Sequence, residues 1–192
     1  MSNGTDVERD RMLRSEIIES QKTQADFLKW KLIAVAAIAS ISLGLAHSPA
    51  VGGTKLLLCL VPLICAYVDL TSLHIMIRIM TIGIYLKESG DAYEKFVFAV
   101  RNTTGASPYV FEPIALHGSS IAFNAIIIAL GFTLPVGDGN WPSSYLTAYI
   151  VTGALGIVTT VFFWTWYTSR VKEIIRVAKE RRKDATTQEL PR

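Results

Sequence analysis

The chain carries little charge for its size. Asp, Glu, Lys and Arg make up 18% of its 192 residues, against roughly 25% in soluble domains, while 51% of residues are apolar. Three stretches, 32–46, 56–68 and 114–136, contain no charged residue other than a histidine. A soluble core of this length needs no such blocks, so lipid is the simplest solvent to assign to them. Cysteine is equally scarce. Cys59 and Cys65 fall in one apolar segment, on different sides of a helix and too far apart to bridge, which leaves them as small apolar filler and excludes a disulfide framework. The first thirty or so residues are polar and charged, so no cleavable signal peptide is expected.

Chemistry-bearing motifs are also missing. No metalloprotease, phosphate-loop, dinucleotide or nucleophile-elbow pattern occurs. His47, His74 and His117 lie at widely separated levels with no carboxylate or thiol cluster. No metal, no cofactor and no enzymatic activity are therefore expected. The formal charge of +3 is too small to argue for nucleic acid by itself.

What is present is a set of membrane-length apolar segments. A crossing helix needs about 20 mostly apolar residues. Four segments meet that length: 27–47, 54–73, 113–134 and 145–167. Lys29, Trp30 and Lys31 stand at the start of the first, where Lys31 is expected to snorkel to the headgroups. Asp69 alone interrupts the second. The fourth ends in Phe162, Phe163, Trp164, Trp166 and Tyr167, an aromatic belt of the kind found at a membrane interface. Of the 19 Lys and Arg residues, all but Lys55 fall on one side of this arrangement. The excess of positive charge makes that side cytoplasmic, and an even number of spans puts both termini there. The expected fold is all-α: a four-span bundle in the cell inner membrane with cytoplasmic helical extensions at both ends.

Three cytoplasmic parts follow. Residues 1–28 read as a polar helix opening at a Thr5–Glu8 capping box, with an apolar stripe through Leu13, Ile17, Ile18, Ala25 and Leu28. Residues 87–112 form a short hairpin between spans two and three. Residues 170–192 form a strongly basic helix and tail, suited to anionic lipid or to a nucleotide-type ligand.

The second span is expected to run on as one helix to about Leu86. Along it Tyr67, Thr71, His74, Arg78, Thr81 and Tyr85 follow steps of four and three, so they share one seam, with Asp69 roughly opposite. Polar residues at that spacing suit either a wet passage or a polar contact between helices. In the third span His117, Ser120, Asn124 and Gly131 fall near one face, again fit either to line a pore or to hydrogen-bond a neighbouring helix. Thr152, Gly153, Gly156, Thr159 and Thr160 in the fourth span, and Ala36, Ser40 and Gly44 in the first, make small-residue packing faces.

Tyr67-Val68-Asp69-Leu70 leads into His74, Arg78, Ile79 and Gly83, and is followed by Tyr93-Glu94-Lys95-Phe96 and Phe111-Glu112. Over about 56–134 this resembles small four-span membrane effectors of bacterial antiphage islands, of the Hailong type. The resemblance implies an oligomeric ion channel, a tetramer, opened by a nucleotide-type signal. It also implies Arg78, Lys87 and Arg101 as contacts for an anionic ligand, with the N-terminal helix as a plug. The pore-lining candidates are then Tyr67, Thr71, His74, Thr81, His117, Ser120 and Asn124. A non-conducting adaptor whose cytoplasmic helices recruit a partner is the alternative of a different class.

Overall fold

The computed structural model describes residues 3–44, 52–88, 95, 111–133 and 143–188. The described residues are helical, with no strand among them. Helix α1 covers Asn3–Ser42, α2 Val61–Glu88, α3 Phe111–Thr133 and α4 Ser143–Gln188, and a 3-10 helix over Gly52–Leu60 leads into α2. Three helical stretches are long and apolar enough to cross a membrane: Thr54–Glu88, Ile114–Thr133 and Leu146–Glu180. The apolar half of α1 packs against α2 and the 3-10 helix.

Local sequence sets several of these boundaries, and some differ from expectation. The polar N-terminal segment and the apolar segment expected as the first span form one continuous helix, α1. It begins at Asn3, so Thr5 lies inside it and the expected capping box does not form its start. The first span was expected to reach His47, but α1 ends at Ser42. Gly44 there takes φ 71°, a left-handed conformation cheap only for glycine, and its amide hydrogen-bonds back to Ile41. Gly44 thus stops the helix instead of packing within it. In the second span, Pro62 has no amide hydrogen to donate and sits in the first turn of α2. The residues before it coil as a 3-10 helix, which at nine residues is long for that form. Beyond Pro62 the helix runs to Glu88, two residues past the expected end. The basic C-terminal helix is continuous with the fourth span through α4, whose 46 residues would extend about 69 Å at 1.5 Å per residue.

The bundle is apolar outside and partly polar within. Leu32, Ile33 and Ile41 of α1, Leu63 and Leu70 of α2, Ile114, Ile126 and Phe132 of α3, and Leu155 and Val158 of α4 are all exposed. Lys31, Asp69, Ser72, His117, Ser120, Asn124 and Thr160 are all buried. An apolar exterior suits lipid, but lipid gives helices no hydrophobic drive to associate, so they meet through small residues and hydrogen bonds, as seen here. The apolar core is correspondingly small: Val35, Leu58, Val61, Cys65, Ile127 and Tyr149. Both cysteines are free, Cys65 within that core and Cys59 packed against it. The Tyr149 hydroxyl donates to the Lys55 carbonyl at 2.7 Å, satisfying its one polar atom and tying α4 to the 3-10 helix.

Contacts between α3 and α4 run antiparallel: His117 meets Trp164, Asn124 meets Gly156, Ile128 meets Gly153 and Gly131 meets Tyr149. The small-residue face expected on α4 is the buried one at Gly153, Gly156 and Thr160. That expected on α1 is not. Ala36 is exposed, and α1 turns Gln24, Lys31, Val35 and Ser42 inward instead.

Gly156 is the tightest point of this packing. A Cβ built there would overlap the Asn124 side chain, with Asn124 Cγ at 2.6 Å. At Gly118 a Cβ would meet nothing within 4 Å. Gly156→Val should therefore destabilise the detergent-solubilised protein by about 1–3 kcal/mol. Gly118→Ala should be neutral or slightly stabilising, as glycine is a poor helix former. Equal thermal stability of the two variants would contradict this packing.

Candidate functional site

The strongest concentration of chemistry lies where all four helices meet. α1 contributes Lys31, which the order of the sequence places at the start of a span and which was expected to reach outward to the headgroups. It does the opposite. Lys31 is 1% exposed, and its ammonium shares its three N–H donors among four oxygens: Asp69 Oδ1 at 3.1 Å, the Leu116 carbonyl at 2.9 Å, Ser119 Oγ at 3.0 Å and Ser120 Oγ. The reason is geometric. Lys31 lies on the same face of α1 as Gln24, Val35 and Ser42, and that face packs on α2.

Asp69 is the counter-charge. Its side chain and that of Lys31 are both fully buried, so neither can be solvated by water or headgroups. Ser120 Oγ donates to Asp69 Oδ1 at 2.9 Å and accepts from Lys31, so one hydroxyl bridges the ion pair. Asp69 Oδ2 faces His117 Nδ1 at 3.6 Å, an electrostatic neighbour but too distant for a hydrogen bond. The His117 ring packs on Trp164 of α4 with centroids 4.9 Å apart and planes at 60°. One ion pair thus reaches α1 and α2 directly, α3 through Leu116, Ser119 and Ser120, and α4 through His117.

One and two turns further along α3 the polar character continues in a self-contained way. Asn124 Nδ2 donates to the Ser120 carbonyl at 2.8 Å, while its Oδ1 has no hydrogen-bond partner among the described residues and lies against Gly156. Thr160 satisfies itself by donating to the Gly156 carbonyl at 3.0 Å.

The expected pore-lining residues therefore fall into two groups that the structure does not bring together. His117, Ser120 and Asn124 are buried among the helices, where Ser120 donates to Asp69 of α2, and His117 and Asn124 pack on Trp164 and Gly156 of α4. Tyr67, Thr71, His74 and Thr81 lie on the outer face of α2, where Tyr67 is 63% exposed. Thr71 and Thr81 donate to the carbonyls of Tyr67 and Ile77, leaving the seam polar yet self-satisfied.

The ligand candidates divide as well. Arg78 makes a 2.6 Å ion pair with Glu16 of α1, and Arg9 of α1 lies over the Tyr85 ring at 5.6 Å. The extensions of α1 and α2 are thus clasped beyond the bundle. Lys87 stands 4.0 Å from its neighbour Glu88, and Arg101 lies outside the described residues, as does most of the 87–112 hairpin. No group of three or more His, Cys, Asp or Glu side chains fit to hold a metal occurs among the described residues.

The helical spacing sets Asp69 away from the Tyr67–Tyr85 seam without supplying its partner. The available signal was that Lys31 and Asp69 are opposite charges at the same end of two adjacent spans. No family model, curated protein or solved structure matches the chain.

Breaking a buried pair by removing one member leaves an uncompensated charge, at a cost of about 3–5 kcal/mol. Asp69→Asn and Lys31→Met should each lose stability of that order, as read by thermal unfolding in detergent. The double variant Lys31→Met/Asp69→Asn should lose much less than the sum. Additive losses would show that the two charges do not stabilise one another.

Proposed function

We propose that the protein is a homo-oligomeric membrane channel or permeabilising effector whose pore is framed by α2. The apolar half of α1 serves as the first of four spans, and both termini lie in the cytoplasm of a cell whose inner membrane the protein occupies. The observation that carries this reading is the outward seam on α2. Tyr67, His74, Arg78, Thr81 and Tyr85 are exposed along one face with Thr71 half-buried between them, and Arg78 and Tyr85 at its far end meet Glu16 and Arg9 of α1. Polar side chains at bilayer depth are costly against lipid, and a symmetric assembly of α2 helices would turn them toward one another or toward water. The spacing of the seam, alternating three and four residues, is also that of helices packing on their own copies.

Gating is assigned to the clasp between α1 and α2. Arg78 is charged and largely exposed although paired with Glu16, so an anionic, nucleotide-type ligand could compete with Glu16 for it. The place of the protein among antiphage effectors rests on the resemblance over 56–134. No catalytic role is proposed. The second reading, a non-conducting adaptor, draws on the same clasped extensions, which would present a rigid two-helix surface to a cytoplasmic partner.

Reconstitution in liposomes separates the two. The channel reading expects ion flux, and His74→Cys should make that flux fall to background on treatment with a charged thiol reagent. Phe132→Cys, exposed on a different helix, should leave it unchanged. Arg78→Ala should alter ligand-dependent opening. Wild-type protein that gives no flux, with or without nucleotides, would leave the adaptor. Flux that no α2 seam cysteine blocks would remove α2 from the pore.

A further inference from the structure

The surroundings of the Lys31 ammonium have the make-up of an ion site. Four oxygens converge on its Nζ: one carboxylate from Asp69, one backbone carbonyl from Leu116 and two hydroxyls from Ser119 and Ser120. Three of these lie at 2.9–3.1 Å, and the set comes from α2 and α3 alone. Hard oxygen donors of this mixture suit alkali and alkaline-earth cations rather than transition metals. An ammonium group has about the size and the single charge of a potassium ion. The lysine is delivered from a third helix, α1, by a flexible four-carbon stem.

We propose that Asp69, the Leu116 carbonyl, Ser119 and Ser120 form a monovalent-cation site in which Lys31 is the tethered occupant. A free Na+ or K+ takes the ammonium's place when α1 draws away. Charge selects the class of ion. Asp69 is the one carboxylate contacting the ammonium, so a single positive charge neutralises the site, whereas a divalent ion would leave an excess in a low-dielectric interior. His117 stands 3.6 Å from the far oxygen, Asp69 Oδ2, and so leaves the Oδ1 side unblocked. Withdrawal has a lever, because α1 is one unbroken helix from Asn3 to Ser42 and its cytoplasmic half is held by the Glu16–Arg78 ion pair. Binding of the free cation stands on this geometry alone. Only its use in gating rests on the channel reading.

Lys31→Ala empties the tether and keeps the oxygens. In detergent, raising NaCl or KCl from about 1 to about 100 mM, with choline chloride holding ionic strength, should raise its Tm by about 5 °C. Ethylammonium chloride should do the same. Wild type and Lys31→Ala/Asp69→Asn should move by less than about 1 °C over that range. A Lys31→Ala protein that folds with a Tm indifferent to the cation overturns the proposal. So does one that folds in none of these salts while the neutral double variant folds.

A wild-type measurement covers the case in which neither variant folds. Reductive methylation of Lys31, mapped by peptide mass spectrometry, should increase in NaCl over choline chloride while Lys29, which is exposed, stays constant. Labelling of Lys31 that ignores the cation overturns the exchange. Neither readout requires ion flux, so a silent liposome assay and a silent cation titration point to different failures.

Discussion

The ion pair between Lys31 and Asp69 is the constraint around which the bundle is organised. Two opposite charges, each fully buried, must be matched by one another and by further hydrogen bonds, or the desolvation of either would exceed what the surrounding packing returns. The match is made with parts from three helices, and His117 extends it to the fourth. Few other buried contacts in the described bundle are this directional. Apolar side chains can slide along a neighbouring helix at small cost, whereas an ammonium seated on one carboxylate, one carbonyl and two hydroxyls fixes rotation and register together. That fixed point determines which face of α1 turns inward. It explains why Ala36, small enough for close packing, is left on the outside.

A second, quieter fit sets the spacing of α3 and α4. The Asn124 side chain lies over Gly156, and Gly153 admits Ile128 and the Asn124 carbonyl at the next turn. Close approach of backbones is how helices gain contact energy when lipid supplies no hydrophobic drive. The two fits differ in kind. The charged one specifies, and the small-residue one tightens. They meet at Ser120, whose side chain bridges the ion pair and whose carbonyl accepts from Asn124.

Much of this architecture is written plainly in the sequence. Uncharged stretches of membrane length are a strong signal because lipid leaves no other use for them, and three of the resulting helices are long and apolar enough to span. The run of α2 beyond its span is legible because neither Pro nor Gly interrupts 63–82. The seam from Tyr67 to Tyr85 is legible as periodicity, but the meeting of Arg78 and Tyr85 at its far end with Glu16 and Arg9 of α1 is not. Less legible is whatever depends on which face of a helix its neighbours choose. Lys31 at the start of a span looks the same in sequence whether it snorkels out or folds in, and only the position of Asp69 on another helix decides. The α3 face of His117, Ser120 and Asn124 was open between lining a pore and joining helices for the same reason. The 3-10 start of the second span is a further case, since Pro62 fixes where the α-helix can begin but not how the chain coils before it.

The unbroken length of α1 gives these separate features a common mechanical consequence. A helix of 40 residues carries Arg9 and Glu16 at one end and Lys31 in the bundle, with no glycine or proline after Gly4 to act as a hinge before Gly44. Glu16 and Lys31 are 15 residues apart, about 22 Å along the axis. The outer of the two contacts is weak. The Glu16–Arg78 pair is exposed to solvent, where such pairs contribute about 1 kcal/mol or less. The inner one is costly to break, because separating its partners would leave a charge buried and unpaired. An anion that took Arg78 from Glu16 would release the weak end of a stiff rod whose other end is held by a fully buried ion pair. Any motion so begun must either stop at Lys31 or draw its ammonium from the oxygens around it. The register of α1 in the bundle is thus tied to the Lys31–Asp69 pair, 15 residues from the exposed contact at Glu16.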